Sequence, residues 1–358
     1  MAFSSVATKT VDPVEGAHPD TQPVALGSVF ERVAEMMAPR LRSAVDRLPA
    51  SARDVVGYHF GWLDEWGRPA NRSPGKLLRP ALTILCAEAV GSTANRAVDA
   101  AVAVELVHNF SLLHDDVMDV DPTRRHRPTV WSLFGVPAAI LAGDALLTLA
   151  VEVLAETSEG PLGSVSTLCA ALQELIDGQF RDVSFERRGD VTVDDWLAMA
   201  GGKTAALLRC ACELGASHGG GTTTQVAALA QFGWHLGVAF QVVDDLLGIW
   251  GDPSETGKPT LSDLRARKKT LPVVAALADT GMWSKRLAEM YLRPGPLDEQ
   301  DLASVAALVD LAGGRDWAQT DAERRLRLAL GHLTQAHPVR DAYHALVAVA
   351  ALVTRRDR

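Results

Sequence analysis

Three carboxylates interrupt an apolar segment in the first third of the chain. Asp115, Asp116 and Asp119 lie in the sequence LLHDDVMD, residues 112–119. On a helix, Asp115 and Asp119 project from one face, one turn apart, with Asp116 beside them. Carboxylates this close repel one another unless cations bridge them, and Mg²⁺ prefers oxygen ligands. The spacing therefore predicts a magnesium site.

A second acidic pair, Asp244 and Asp245, begins the sequence DDLLG in another apolar segment. Charged groups buried among apolar residues need partners or metal ions. A solvated acidic helix end would account for one such cluster, but two clusters in apolar segments are harder to explain in that way. Together they predict a site that holds several Mg²⁺ ions and a diphosphate.

Basic residues stand at four places along the chain where a diphosphate would need them. Phosphate oxygens take direct contacts from Lys and Arg as well as from bridging metal ions. The net charge of −9 disfavours a nucleic-acid partner attracted by bulk charge, so phosphate must be bound locally. The four places are Lys76 with Arg79, Arg124 with Arg125, Lys203, and Lys258.

The segments that position these residues have the pattern of helices. From Val29 onward, long Ala/Leu/Val-rich segments alternate with short Gly, Pro, Asp and Thr breaks, and none has the alternation typical of a β-strand. Several are apolar on more than one face, as the inner helices of a large bundle are. We therefore predict an all-α fold, with residues 28–358 as one domain. The predicted helices are about 28–48, 51–66, 75–91, 95–119, 128–135, 136–158, 161–187, 193–216, 222–250, 268–279, 283–291, 298–313, 317–335 and 338–355.

Residues 1–27 are polar and proline-containing, without apolar periodicity, which predicts a disordered tail. Whether this tail docks on a partner is left open by the sequence. The N-terminus lacks the pattern of a signal peptide, and Asp144 and Glu152 interrupt the longest apolar stretch. The four cysteines form no CxxC pair. These features predict a cytoplasmic protein without a membrane span.

Six motifs, in this order, resemble the trans-prenyl diphosphate synthase (polyprenyl synthetase) family. They are LLHDDVMDVDPTRRHRPTVW, ILAGDAL, Gly178-Gln179, GGKTAALL, FQVVDDLLG and GKPTLSDLRARKKTLP, within about residues 75–272. The resemblance implies a single bundle of antiparallel helices around a central cavity, of the isoprenoid synthase type. It also implies a homodimer, and two aspartate-rich motifs that face each other across the mouth of the cavity.

The resemblance further implies a reaction and its residues. An allylic diphosphate would ionise with the help of three Mg²⁺ ions, isopentenyl diphosphate would attack the carbocation, and a proton would then be lost. Asp115, Asp119 and Asp244 would bind Mg²⁺, with Asp116 and Asp245 supporting; Arg124, Lys203 and Lys258 would bind the allylic diphosphate; Lys76, Arg79, His108 and Arg125 would bind isopentenyl diphosphate; and Thr204 and Gln241 would line the reacting carbons.

The second acidic motif departs from the family pattern, which usually ends in aspartate. Gly248 stands at that place. Asp252, two helical turns beyond Asp244, would substitute for it if the helix continued that far. The sequence leaves metal binding at this motif open.

The residues upstream of the first motif bear on product length. Phe110 lies five residues before Asp115, and the small Ser111 lies four before it. In the resembled family, one bulky residue at the fifth place suits a geranylgeranyl (C20) product, whereas paired aromatics suit farnesyl (C15). We expect Phe110 and Ser111 to form the floor that limits the chain and to give C20, although neighbouring helices could dominate this floor.

Two alternatives of other kinds stay open. A terpene cyclase would share the fold and the first motif, but neither an asparagine (Asn71, Asn95 or Asn109) nor Asp244 begins the Asn/Asp, Ser/Thr, Glu triad of cyclases. A non-catalytic partner subunit of a synthase would tolerate loss of a metal motif, and only Gly248 favours that alternative. An activity assay on the isolated chain separates the subunit from the enzyme.

Overall fold

The computed structural model describes residues 26–70, 72, 75, 77–157, 160–253 and 259–354. The predicted tail, apart from Leu26 and Gly27, lies outside the described residues, as do the predicted site residues Lys76 and Lys258. The described chain is all-α apart from one short β ladder. The predicted fold class is therefore confirmed.

Sixteen α-helical segments are numbered in chain order over the described residues. Helices α1–α4 are Leu26–Val45, Ala50–His59, Leu78–Ala89 and Val98–Met118; α5–α8 are Val130–Phe134, Val136–Ala155, Ser164–Phe185 and Val193–Ala200; α9–α12 are Ala206–His218, Thr223–Trp250, Ser262–Arg265 and Leu271–Ala278; α13–α16 are Met282–Tyr291, Glu299–Leu311, Gly314–Gln335 and Arg340–Thr354. A 3₁₀ turn covers Ala94–Ala97, a π turn covers Gly201–Ala205, and strands β1, Thr123–Arg124, and β2, Arg127–Pro128, pair antiparallel.

The chain divides into two compact units. Unit 1 takes the described residues of Met1–Ala170, Cys210–Ala230 and Leu333–Val349. Unit 2 takes those of Ala171–Arg209, Gln231–His332 and Ala350–Arg358. The single domain over residues 28–358 stays a prediction.

Unit 1 is built around α4 and α6, which pack against each other. The segment from Ala100 to Val107 of α4 is buried on all sides, as its mostly apolar sequence, with Glu105 as the one exception, predicts. A Cβ at Gly143 of α6 would overlap the imidazole of His114. Because Gly143 has no side chain, the two helices approach closely, and Nε2 of His114 lies 3.0 Å from the carbonyl oxygen of Ile140.

Unit 2 has an apolar core in which Trp196 is fully buried. A capping box fixes the start of α8, because the Thr192 hydroxyl accepts a hydrogen bond from the backbone N–H of Asp195 at 3.1 Å. This start places Trp196 in the first turns of α8, facing Val242 and Leu246 of α10. Burying a large aromatic side chain contributes about 2 kcal/mol or more.

The predicted helix bounds, expected to hold to about two to four residues, differ from the structure in three places for local reasons. The helix expected over 51–66 ends at His59, because Gly61 takes a φ of 77° and stops it. The helix expected from residue 128 begins at Val130, since residues 127–128 form β2. The helix expected over 193–216 is interrupted by the π turn and runs on to His218.

Two described helices are long and apolar enough to cross a membrane by length and composition alone. They are Val136–Ala155 and Thr223–Trp250, with 44% and 61% of their apolar windows buried inside the protein. The buried core helices of globular proteins have the same length and composition.

Candidate active site

The first acidic cluster lies at the C-terminal end of α4 in unit 1. Asp116 is buried, and its Oδ1 accepts a hydrogen bond from Nε of Arg124 at 2.7 Å. Burial raises the pKa of Asp116 to about 6, against the opposing charge of Arg124. Asp115 and Asp119 keep partial exposure, and Asp119 caps the helix after Met118. Asp116 is therefore bound to the protein, while the other two lie nearer solvent.

The hairpin of β1 and β2 brings the two predicted arginines into place. Arg125 and His126 take φ values of 50° and 60°, which turn the chain back on itself between the strands. Arg124, just before the turn, reaches Asp116. The guanidinium of Arg125 lies against Gly75, where a Cβ would come within 2.5 Å of Nη2. Two of the predicted basic segments therefore meet in unit 1.

A buried polar group surrounds Arg79 in unit 1. Nη1 of Arg79 lies 3.2 Å from Nε2 of His108. The Nε atom of Arg79 is buried without a hydrogen-bond partner among the described residues. Burial lowers the pKa of Arg79 to about 10, while the charge of Glu105 opposes the change. Burial, followed by the nearby arginine charges, holds the pKa of His108 well below its ordinary value. A buried cation with an unpaired donor suits an anionic ligand.

Glu105 is a residue of this group that the sequence reasoning missed. Its carboxylate accepts a hydrogen bond from Nδ2 of Asn109 at 2.8 Å, and burial raises its pKa to about 7. The charges of Arg79 and Arg125 act in the opposite direction. Its signal in the sequence was a lone glutamate inside the apolar run from Ala100 to Val107.

In unit 2, the π turn presents Lys203 between α8 and α9. Such turns are rare and frequent at functional sites. Nζ of Lys203 donates to Oδ2 of Asp182 at 2.5 Å. A Cβ at Gly178 would overlap the backbone of Gly202 and Lys203, so the glycines let α7 and the π turn touch. Asp182 is a second residue that sequence reasoning missed.

Thr204 and Gln241 are joined in a chain of hydrogen bonds that ends at the second acidic motif. The Thr204 hydroxyl donates to Oε1 of Gln241 at 2.5 Å, and Nε2 of Gln241 donates to Oδ1 of Asp245 at 3.0 Å. Oδ2 of Asp245 accepts from Nε1 of Trp196 at 2.8 Å and from the backbone N–H of Leu271 at 2.7 Å. Asp245 thus uses both oxygens inside the protein and holds Gln241 in one orientation.

Asp244 and Asp245 have opposite environments. Asp244 is exposed, whereas Asp245 is buried. Burial raises the pKa of Asp245 to about 8, with smaller contributions in the same direction from the charges of Asp263 and Asp244. Helix α10 ends at Trp250. Asp252 therefore does not continue the helical face of Asp244, and the condition for its predicted substitution fails.

Phe110 and Ser111 lie on α4, upstream of the first cluster. Phe110 is buried, and its ring contacts the ring of His114 edge-on at a centroid distance of 4.7 Å. The Ser111 hydroxyl donates to the carbonyl oxygen of His108 at 2.8 Å. The ring of Phe110 is therefore held by His114, which is itself hydrogen-bonded to the Ile140 carbonyl of α6.

The donor groups of both motifs fit Mg²⁺. Asp116 and Asp245 are bound within the protein, which leaves Asp115, Asp119 and Asp244 as the more exposed carboxylates. Among the described residues, no three His, Cys, Asp or Glu side chains form a closed cage for a metal ion. Mg²⁺ is ordinarily held by one or two carboxylates together with substrate phosphates. The donors therefore suit Mg²⁺ that binds with a diphosphate.

An all-α fold with two aspartate motifs and separate lysine and arginine groups defines a prenyltransferase of the isoprenoid synthase class. Residues 61–309 match the sequence model of the polyprenyl synthetase family, and the chain belongs to this family. The predicted family, fold class and enzyme class are confirmed.

Similar proteins carry different product names. The chain is 50% identical to (2E,6E)-farnesyl diphosphate synthase of Mycobacterium tuberculosis over 296 residues, 82% of each protein. It is 44% identical to geranylgeranyl diphosphate synthase of the same species over 338 residues, 94% of this chain and 95% of that protein. The chain is therefore similar to synthases of two product lengths.

Solved structures share the fold. The crystal structure of polyprenyl synthetase from Streptomyces coelicolor A3(2) superposes with a TM-score of 0.86 at 47% identity, over 92% of this chain and 99% of that one. Geranylgeranyl pyrophosphate synthase of Corynebacterium glutamicum, complexed with isoprenyl diphosphate and magnesium, superposes with a TM-score of 0.75 at 26% identity, over 92% and 98%.

Proposed function

We propose that this prenyl diphosphate synthase condenses isopentenyl diphosphate head-to-tail with an allylic diphosphate and makes geranylgeranyl (C20) diphosphate. The observation that carries the product length is the buried, fixed ring of Phe110 beside the small Ser111. A single bulky side chain five residues before Asp115 leaves more length for the growing chain than two adjacent aromatics would.

The proposed chemistry assigns a task to each group of residues. Mg²⁺, proposed as three ions bound at the aspartates of both motifs, supplies positive charge that stabilises diphosphate as it leaves the allylic substrate. The neighbouring relative solved with isoprenyl diphosphate and magnesium supports this metal. The aspartates are Asp115, Asp116, Asp119, Asp244 and Asp245, of which Asp116 and Asp245 act from their buried positions by orienting neighbours.

The basic residues divide between the two substrates. Arg124, Lys203 and Lys258 hold the allylic diphosphate; Lys76, Arg79, His108 and Arg125 hold isopentenyl diphosphate. The unpaired, buried Nε of Arg79 supports an anionic ligand at that place. Asp182 holds Lys203 at 2.5 Å and keeps this lysine in one position until a diphosphate binds.

The oxygen atoms of Thr204 and Gln241 stabilise the allylic carbocation. Their hydrogen bond of 2.5 Å and the link to Asp245 fix both dipoles before the charge develops. The double bond of isopentenyl diphosphate attacks the cation, and the proton lost afterwards passes to the departed diphosphate. No protein nucleophile takes part.

Product analysis tests this proposal. The purified chain is incubated with Mg²⁺, isopentenyl diphosphate and, separately, the C5, C10 and C15 allylic diphosphates, and the dephosphorylated products are identified by mass. A C20 alcohol is expected. Ser111→Phe should shift the product to C15 and Phe110→Ala should lengthen it, while Ser111→Ala, which removes only the hydroxyl, should leave the product unchanged.

A second product, C15, has its own support in the 50% identity to a farnesyl diphosphate synthase. If the unmodified chain makes C15, the chemistry stands and the assignment of the floor to Phe110 and Ser111 is wrong. If no primer is elongated, the chain is a non-catalytic partner subunit. A cyclised hydrocarbon would instead identify a terpene cyclase.

We also propose a homodimer located in the cytoplasm, without a nucleic-acid partner. The family resemblance supports the homodimer, and the net charge of −9 supports the lack of nucleic-acid binding. Light scattering coupled to gel filtration measures the mass in solution. A mass near the 38.2 kDa of one chain would contradict the dimer.

A further inference from the structure

We propose that Asp263 supplies, from a separate segment, the carboxylate that the second acidic motif lacks at Gly248. This inference rests on the proposed function, since it assigns a further Mg²⁺-binding residue to the same site. It concerns unit 2 alone, where both residues and Asp244 lie.

The carboxylate of Asp263 occupies the space of the missing side chain. A Cβ built on Gly248 would overlap Oδ2 and Cγ of Asp263 and lie 3.1 Å from Oδ1. Gly248 is four residues after Asp244 on α10, so its side-chain direction points to the same face, one turn along. An aspartate at 248 would place its carboxylate within about 2.5 Å of that Cβ. Asp263 therefore puts a carboxylate where the family motif ordinarily has one.

Backbone and side-chain hydrogen bonds hold Asp263 at this position. The N–H of Leu261 donates to the carbonyl oxygen of Ile249 at 3.2 Å, and the Ser262 hydroxyl donates to the carbonyl oxygen of Gly248 at 3.3 Å. Leu261 takes a φ of 63°, which turns the chain into the short helix α11. The residues on the N-terminal side of Asp263 are thus bonded to the last turns of α10.

The glycine and the aspartate depend on each other sterically. Any side chain at 248 would displace the Asp263 carboxylate from this position, because its Cβ would overlap Oδ2 of Asp263. Gly248 therefore does not mark a degraded motif: its lack of a side chain is what admits Asp263. Asp252, the other substitute, lies beyond the end of α10 at Trp250 and is exposed.

The resulting donors suit the chemistry of Mg²⁺. Asp245 uses both oxygens within the protein, and we assign the ion to Asp244 and Asp263. Two carboxylates with diphosphate oxygens and water complete the usual ligand set of Mg²⁺. A motif with a glycine at its third place thereby keeps its metal-binding capacity.

The test measures Mg²⁺ binding directly. Isothermal titration calorimetry of the full chain with MgCl₂, in the presence of inorganic pyrophosphate, gives the apparent Kd. Asp263→Asn, which keeps the shape and removes the charge, should weaken Mg²⁺ binding about tenfold or more. Asp252→Asn is the matched control and should leave the Kd unchanged. Thermal unfolding confirms that each variant is folded.

A second experiment moves the carboxylate from position 263 to position 248. Gly248→Asp in a chain that already carries Asp263→Ala should recover most of the affinity lost in Asp263→Ala alone. Gly248→Asp by itself should lower the melting temperature, and Asp263→Ala should relieve that loss, because the two side chains compete for one space. The melting temperatures of these variants can be compared even if a single variant binds no metal.

Each outcome bears on the inference. An unchanged Kd in Asp263→Asn, a loss in Asp252→Asn instead, no recovery in the relocated variant, or no Mg²⁺ binding by the unmodified chain would overturn it. A chain that shows the expected binding pattern but makes C15 would contradict only the proposed product. One that shows this pattern and elongates no primer would contradict only the proposed catalysis.

Discussion

The second aspartate of each acidic motif is buried, but units 1 and 2 hold it in different ways. Asp116 is paired with the guanidinium of Arg124, whereas the donors to Asp245 among the described residues are neutral and belong to Gln241, Trp196 and Leu271. The pKa of Asp116 is raised to about 6 and that of Asp245 to about 8. A full opposing charge offsets more of the cost of burial than neutral dipoles do.

The buried aspartate of the same short motif is therefore supported in two different ways. In unit 1 the supporting Arg124 is itself a predicted phosphate ligand, so the pair links the metal site to the substrate. In unit 2 the support comes from neutral hydrogen-bond donors, and the pair Asp245–Gln241 links the proposed metal site to a residue proposed to face the carbocation. Substitutions should therefore separate the two motifs by what else each one disturbs.

The largest expected effect comes from removing the first aspartate of either motif. Asp115→Ala and Asp244→Ala should each lower turnover by about 10²–10³-fold, since each removes a carboxylate that holds charge-stabilising metal. Steady-state rates with saturating substrates give the comparison. Asp99→Ala, at the other end of α4 and paired with Arg40, is the control and should keep full turnover. Turnover that survives Asp115→Ala would refute the metal role of the first motif.

A pH profile examines a third buried carboxyl, that of Glu105. Burial raises its pKa from 4.5 to about 7, so the folded protein holds a proton that the unfolded chain releases. Its contribution to stability is full below pH 4.5 and is lost as pH rises through about 7, an overall change of about 3 kcal/mol. Glu105→Gln should therefore flatten the fall of unfolding free energy over this range. Urea titrations at several pH values measure it; an equally steep fall in the variant would show that Glu105 is ionised on folding.

The variants Asp116→Asn and Asp245→Asn test how strongly each motif depends on its buried aspartate. Each should raise the Mg²⁺ concentration needed for half-maximal turnover by about 10–100-fold, as the loss of a supporting partner does at metal sites. Adding Arg124→Gln should have a smaller further effect on Asp116→Asn than on Asp245→Asn, because Arg124 and Asp116 share one bond, while the diphosphate contact of Arg124 is lost in both backgrounds. Equal additivity in both backgrounds would mean that Arg124 does not support Asp116.

The smallest expected effect is that of Trp196→Phe. This change removes one neutral hydrogen bond to Asp245 while keeping a ring in the core, so the unfolding free energy should fall by about 1 kcal/mol. Denaturant titration measures the loss. In a chain that carries Asp245→Ala, Trp196→Phe should lower the unfolding free energy by clearly less. A loss of equal size in both backgrounds would assign it to packing alone.

Much of the site was predictable because its signals are local. The spacing of Asp115, Asp116 and Asp119 places them on one helical turn whatever surrounds it. The apolar flanks and the break residues indicate helices over most of the described chain. The helix prediction was wrong where a turn intervened, at Gly61, which ends α2.

The residues that complete the site were missed because contacts between distant segments define them. Glu105 stands among apolar neighbours in sequence, and only folding brings it near Arg79 and Arg125. Asp182 lies 21 residues before its partner Lys203. No spacing rule connects such pairs.

The sequence by itself determined the all-α fold and the chemistry of the two aspartate motifs, because residue type and helical period are properties of short segments. The tertiary structure alone decided which carboxylates are bound within the protein and that Asp263 lies in the space left by Gly248. The reason is physical: burial and hydrogen bonding depend on the neighbours that packing brings together, and these come from segments far apart in the chain.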